Sequence, residues 1–105
     1  MMNKRQWIVL CLLAAGGVMQ AQQWPDTPVE ARPGARWWWL GSAVDEKNLT
    51  YNLEEYARTG MGAVEITPIY GVQGNDANDI QFLSPHWMET VSYTHLRAHE
   101  TSLHL

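Results

Sequence analysis

One acidic residue, Glu65, lies within a predicted strand of mostly apolar residues, where a charged side chain is uncommon. Glu65 is part of the run AVEITPIY at residues 63–70, whose β-branched and apolar residues predict a strand. Side chains alternate along a strand, so we expect Val64 and Ile66 on one face and Glu65 and Thr67 on the other. Carboxylates are seldom buried without a partner. Glu65 therefore indicates either a functional site or an ion pair, and the sequence leaves both interpretations open.

Aromatic residues are the second group with functional chemistry. The run RWWWL at residues 36–40 contains Trp37, Trp38 and Trp39. Indole faces stack on the C–H faces of sugars, and the indole N–H can donate to a hydroxyl. Because neighbouring side chains alternate, at least one indole must pack in the core. We expect either Trp38 or Trp39 to reach a ligand, and Tyr70 is a further candidate for contact.

A polar loop at residues 71–83 follows this region. It is longer than most joints between a strand and a helix, and long loops in compact domains tend to be functional. Four of its residues could contact a ligand: Asn75, Asp76, Asn78 and Asp79. Their spacing suggests calcium chemistry, but Ile80 breaks the EF-hand pattern. A solvated acidic loop is the favoured interpretation.

The elements that position these residues form a strand, a helix and a strand over residues 36–70. Asp45 is a good N-cap for a helix from about Glu46 to Thr59, and Gly60 suits its C-terminal end. One buried stripe is predicted at helical spacing by Leu49, Leu53, Tyr56 and Ala57. This is the βαβ unit of parallel sheets and (β/α)₈ barrels. The predicted fold is α/β, the first βαβ portion of a truncated barrel, preceded by a signal peptide.

In such a barrel, the active site lies at the carboxyl ends of the strands. With Val64 and Ile66 against the helices, Glu65 would project into the barrel, near the carboxyl end of its strand. Ser84 and Pro85 predict the start of a second helix. We expect that helix to be interrupted at about Thr90.

The chain divides into four segments. Residues 1–21 are predicted to be a signal peptide, because Lys4 and Arg5 precede the apolar run WIVLCLLAA. A membrane anchor is the less favoured alternative, since that run is too short to span a bilayer. We expect residues 22–35 to form an extended lead-in, 36–90 the start of the truncated (β/α)₈ domain, and 91–105 a non-native tail. The predicted signal peptide indicates a periplasmic or secreted protein. Cys11 is the only cysteine, so we expect no disulfide.

Charge narrows the classes of partner. Residues 22–90 carry four basic and ten acidic side chains, a net charge of −6. This acidic surface argues against nucleic acid and against anionic membrane as partners, apart from signal-peptide targeting. A neutral carbohydrate is compatible with it.

The tail has a composition of its own. It reads VSYTHLRAHET from Val91 to Thr101, and His95 and His99 have the spacing of a metal-binding pair on a helix. We reject that interpretation, because the string resembles the translation of a transposon-type sequencing-library adapter. It also lacks a periodic apolar face. We therefore predict that the natural gene continues differently after Thr90.

Most of residues 31–89 resembles the start of family 106 of the glycoside hydrolases, the α-L-rhamnosidases. The strings that carry the resemblance are ARPGARWWWLGSAVDEKNL, NLEEYARTGMGAVEITPIYG and FLSPHWME. Within them, the matching motifs are Arg32-Pro33, Trp37–Trp39, Asp45, Gly60-Met61-Gly62 and Val64-Glu65-Ile66. The resemblance implies a (β/α)₈ catalytic domain followed by β-rich domains. It also implies inverting hydrolysis of terminal α-L-rhamnosyl groups with calcium assistance.

The catalytic acid and base are expected on later strands, so no catalytic or metal-binding residue is assigned here. The expected substrate contacts are Glu65, Trp38, Trp39 and Tyr70. One alternative is another exo-acting barrel glycosidase, such as a β-galactosidase-like enzyme. The other is a secreted sugar-binding protein without catalysis. Such a protein needs no carboxylate inside a barrel, so Glu65 weighs against it.

Overall fold

A computed structural model describes residues 1–15, 21–103 and 105 of the chain. Residues 16–20 of the predicted signal peptide and His104 of the predicted tail lie outside the described residues. The helices are α1 (Lys4–Ala15), α2 (Glu46–Arg58) and α3 (Pro85–Glu100), and the strands are β1 (Gly34–Leu40) and β2 (Ala63–Ile69). Short 3₁₀ turns occur at Val29–Ala31 and Asp76–Asn78. The order β1, α2, β2 confirms the predicted strand, helix and strand.

The two strands pair in parallel, as a βαβ unit requires. The register runs from Gly34 opposite Ala63 to Leu40 opposite Ile69. β1 therefore begins two residues before the predicted boundary at Arg36, within the segment expected to be a lead-in. In the part of the chain that the structure describes, these strands form a sheet of two.

The sheet has two unlike faces. Trp37, Trp39 and Val64 are buried on the face that packs against α2, which we call the covered face. Arg36, Trp38, Glu65 and Thr67 alternate with them and lie on the opposite, open face. This alternation confirms that Val64 and Glu65 point to opposite sides of β2.

The core lies between the covered face and α2. Leu49 and Leu53 of α2 are 1% and 0% exposed, and they pack with the two buried indoles. Trp37 contacts Trp39 edge-to-face with ring centroids 5.7 Å apart, and it contacts Tyr56 in the same way at 5.5 Å. Burying a leucine side chain contributes about 1.5–3 kcal/mol, so the predicted stripe of α2 is what holds the helix on the sheet.

Both ends of α2 have the predicted caps. The Asp45 carboxylate accepts from the Asn48 backbone N–H at 2.9 Å, which satisfies a free donor of the first turn. That hydrogen bond lowers the pKa of Asp45. At the other end, Gly60 has φ +91°, a conformation that glycine adopts without strain. The reversal lets the Met61 N–H donate to the Tyr56 carbonyl at 3.1 Å and ends the helix.

Helix α3 corrects the expectation of an interruption at about Thr90. It begins as predicted, with Ser84 accepting from the Trp87 N–H at 3.2 Å and Pro85 in the first turn. It then continues to Glu100 and buries Thr90, Thr94 and Ala98, spaced four residues apart.

The buried face of α3 is periodic, but it consists of two threonines and an alanine rather than large apolar residues. Each threonine satisfies its hydroxyl within the helix, since Thr90 donates to the His86 carbonyl at 2.8 Å and Thr94 to the Thr90 carbonyl at 2.7 Å. Side chains of α2 and α3 also meet, with 2.6 Å between the hydroxyls of Thr50 and Tyr93. A search for large apolar residues overlooks such a face. Where the DNA of the tail came from is a separate question, and the adapter origin stays a prediction.

None of the described helices is both long enough and apolar enough to cross a membrane.

Candidate functional site

The carboxyl ends of β1 and β2 meet at one edge of the sheet because the strands are parallel. The loop after β2 returns to this edge, where the Ile80 N–H donates to the Gly41 carbonyl at 3.0 Å. Gly41 in turn donates its N–H to the Ile69 carbonyl at 2.9 Å. These bonds fasten the end of β1, the end of β2 and the loop to one another.

A cleft of about 770 Å³ opens at this edge, and we call it the mouth cleft. Its polar and aromatic lining comes from Ser42, Tyr70, Asp79, Gln81 and Phe82. Active sites of barrel enzymes lie at this end of the strands. Tyr70, a predicted contact residue, is therefore where such a site would need it.

The Asp79 carboxylate lies against the backbone at two glycines, Gly41 and Gly71. A Cβ atom added at Gly41 or at Gly71 would overlap its carboxylate. Gly41 also has φ +62°, a second reason for glycine at that position. The two glycines thus leave the space that the carboxylate occupies, directly beyond the ends of both strands.

Two exposed aromatic rings also line the mouth cleft. Tyr70 is 83% exposed and Phe82 is 58% exposed. Phe82 contacts Trp87 edge-to-face with centroids 4.9 Å apart, and the Trp87 indole N–H donates to the Ser42 hydroxyl at 3.0 Å. The first turn of α3 is therefore bonded to the residues that follow β1, which fixes the Phe82 side of the cleft.

Glu65 lies in a different place from the mouth cleft. It is the third of the seven residues of β2, and four more residues, roughly 13 Å of strand, separate it from the end. The expectation that Glu65 lies near the carboxyl end was wrong, because regular pairing continues past Pro68 to Ile69. Its side chain is on the open face, as predicted, and Glu65 Oε2 is 3.6 Å from Arg36 Nε.

The structure separates the two tryptophans that the sequence left equivalent. Trp38 is on the open face and 56% exposed, whereas Trp39 is on the covered face and 1% exposed. The Trp39 indole nitrogen is buried without a hydrogen-bond partner. Trp38 therefore shares a face with Glu65, and Trp39 belongs to the core. A substrate contact through Trp39 would need this core to open.

Two other polar residues of the loop are bonded to each other. Asn78 donates its side-chain N–H to the Asn75 side-chain oxygen at 2.7 Å, across the 3₁₀ turn that contains Asp76. Of the four residues expected to contact a ligand, Asp79 is the one that lines the mouth cleft. The sequence contains a hint of this arrangement, because a glycine follows each strand closely. Gly41 comes directly after β1, and Gly71 comes two residues after the end of β2.

The part of the chain that the structure describes has no cluster of metal-ligating side chains. It contains no group of three or more His, Cys, Asp or Glu side chains arranged to hold a metal ion. His95 and His99 do approach each other, with 3.0 Å between their Nε2 atoms, but they form an exposed pair on α3. Calcium thus remains an implication of the resemblance alone.

Comparisons with known proteins give no relatives. No family model matches the chain, and no curated protein or solved structure matches it. The geometry above is therefore what a proposal about function has to rest on, together with the resemblance of the sequence.

Proposed function

We propose that this chain is the N-terminal part of a secreted glycoside hydrolase, an inverting α-L-rhamnosidase that acts on plant or microbial polysaccharide. The observation that carries the proposal is the parallel βαβ unit, whose strands end in a cleft with a carboxylate and an exposed tyrosine. This is the position of the active site in (β/α)₈ enzymes. The family resemblance supplies the sugar and the stereochemistry.

The open edges of the sheet support a longer parent protein. In the described residues, each strand has a partner on one side only. Unpaired strand edges invite association, and natural proteins cover or pair them. A (β/α)₈ barrel takes roughly 250 residues and pairs every strand on both sides. On this proposal, later strands pair with β1 and β2 and close the barrel.

The catalytic carboxylates are proposed to lie on those later strands. Inversion uses two carboxyl groups about 6.5–9.5 Å apart, with room for a water molecule between one of them and the sugar. The mouth cleft offers Asp79, and Glu65 lies deeper in the sheet. The 105-residue chain is therefore proposed to be inactive by itself.

The decisive experiment uses the uninterrupted gene from the source DNA. The complete protein should release L-rhamnose from an aryl α-L-rhamnoside and leave an aryl β-D-galactoside intact. Cleavage of the galactoside instead would favour the alternative of another exo-acting barrel glycosidase. Failure to cleave any aryl glycoside would overturn the proposal.

A second candidate is a secreted sugar-binding protein without catalysis. It is favoured by one observation, that Asp79 is the one carboxylate among the residues lining the mouth cleft. A single carboxylate can hold a sugar hydroxyl but does not supply both an acid and a base. Calorimetric binding of a sugar by a complete protein that hydrolyses no glycoside would identify this function.

A further inference from the structure

We propose that Asp79 is the residue that orients the ligand in the mouth cleft, by accepting hydrogen bonds from two hydroxyl groups of one neutral sugar. The inference rests on the proposed function, because it takes the mouth cleft to be the sugar site. It selects one of the four loop residues that the sequence left as candidates, and it gives that residue a role that the resemblance does not assign.

The position of the Asp79 backbone is fixed from both directions. Its own N–H donates to the Asp76 carbonyl at 3.1 Å and closes the 3₁₀ turn before it. The next residue, Ile80, is 8% exposed and donates to the Gly41 carbonyl. The carboxylate therefore projects from a braced segment of the loop, and a ligand would meet it without first ordering the chain.

The two glycines make room for the carboxylate itself. A side chain at Gly41 or Gly71 would displace the Asp79 carboxylate, whereas glycine lets it lie over the ends of both strands. An ionised carboxylate can only accept hydrogen bonds, and its two oxygens suit a pair of donors. Adjacent hydroxyls of a sugar ring are such a pair.

The rest of the lining identifies a neutral polyhydroxylated ligand. Among the described residues, no Lys, Arg or His lines the cleft, so an anionic ligand would meet an uncompensated negative charge. A calcium ion takes six to eight oxygen ligands, and Asp79 is the single carboxylate there. The exposed Tyr70 ring offers an apolar face for the C–H groups of a sugar.

The test measures sugar binding by the complete protein that the gene encodes. Isothermal titration calorimetry with L-rhamnose, D-galactose and D-glucose compares the natural protein with Asp79→Asn, which keeps the shape and removes the charge. A hydrogen bond to a charged group gives an expected rise in Kd of about 10- to 100-fold for the sugar that binds. Asp26→Asn is the matched control, since Asp26 is an exposed aspartate of the lead-in, and its Kd should change by less than about two-fold.

A second variant moves the carboxylate without removing it. Gly71→Ala should displace Asp79 and weaken binding in the same direction, while the net charge is unchanged. This variant decides the question if Asp79→Asn fails to fold, which thermal melting of each variant will reveal. Unchanged affinity in either folded variant would overturn the inference, and so would a natural protein that binds none of the three sugars.

Two further outcomes separate the inference from the proposed function. A protein that hydrolyses no glycoside, but loses sugar affinity with Asp79→Asn, would refute the glycosidase and support the role of Asp79. A protein that hydrolyses the rhamnoside with unchanged KM in Asp79→Asn would do the reverse. Titrations repeated with EDTA identify a cation, because an effect of Asp79 that disappears on chelation would mean that the carboxylate holds a metal ion and not the sugar.

Discussion

Arg36 and Glu65 lie opposite each other in the parallel ladder, with 3.6 Å between Arg36 Nε and Glu65 Oε2. Their side chains are 66% and 68% exposed on the open face of the sheet. Exposed ion pairs contribute about 0–1 kcal/mol. Exposure to solvent therefore accommodates this carboxylate more than the ion pair does, and the register places Glu65 four residues before the end of β2.

Replacing Glu65 tests this assignment. If the complete protein is the proposed rhamnosidase, Glu65→Gln should lower the rate of rhamnoside hydrolysis and leave it measurable, because Glu65 lies four residues before the strand end that forms the mouth cleft. Loss of a general acid or base costs about 10²–10⁴-fold in rate. Steady-state kinetics with aryl rhamnosides gives the measurement, with Arg36→Gln as the matched variant that breaks the same pair. A loss of that size, rescued on an activated leaving group, would instead make Glu65 the catalytic acid.

The tryptophans on opposite faces should respond differently to truncation. Trp39→Ala empties a core site and should lower the free energy of unfolding by about 3–5 kcal/mol. Trp38→Ala removes an exposed indole and should leave the fold intact. If that indole stacks on the sugar, KM should rise more than kcat falls, since the contact serves ground and transition states alike. Urea denaturation and steady-state kinetics of both variants provide the test, and equal destabilisation by both would contradict the assignment of faces.

The capping aspartate of α2 predicts a dependence on pH. The Asn48 backbone N–H lowers the pKa of Asp45 in the folded protein. A carboxyl with a depressed folded pKa stabilises the fold above its unfolded pKa, and this contribution is lost as the pH falls through the folded pKa. Asp45→Asn keeps a capping oxygen and removes the titration. Thermal melting of the complete protein at several acidic pH values should show a smaller drop in Tm for this variant, and parallel curves would contradict the role of the charge.

Local signals in the sequence predicted more of this fold than of the site. The Asp45 cap, the Leu49 stripe and the turn at Gly60 each act within a few residues, and each was confirmed. The faces of Trp38 and Trp39 depend on the register with β2, which a run of three identical residues does not specify. The depth of Glu65 depends on where its strand ends. The position of Asp79 requires the loop to fold back onto Gly41, a contact between residues far apart in the chain.

The natural continuation of the gene is a further prediction. The string from Val91 to Thr101 resembles adapter sequence, although the structure gives it a helical conformation packed on α2. Reamplification of the locus from source DNA, across the codon for Glu89, should reveal another sequence after Thr90. That sequence should extend α3 with apolar residues at helical spacing. Recovery of VSYTHLRAHET from independently prepared DNA would refute the adapter origin and make the Thr94 and Ala98 face native.

The 105-residue chain itself should behave as part of a domain. Expressed from Gln22, it would expose the outer edges of β1 and β2 together with the half-exposed Trp38 and Leu40 of the open face. Unpaired edges beside apolar side chains promote association between chains. We therefore expect aggregation or a largely unfolded chain that hydrolyses no glycoside, as measured by size-exclusion chromatography, circular dichroism and an aryl-rhamnoside assay. A soluble monomer with a cooperative thermal transition would show that the βαβ unit and α3 bury enough surface to fold without further strands.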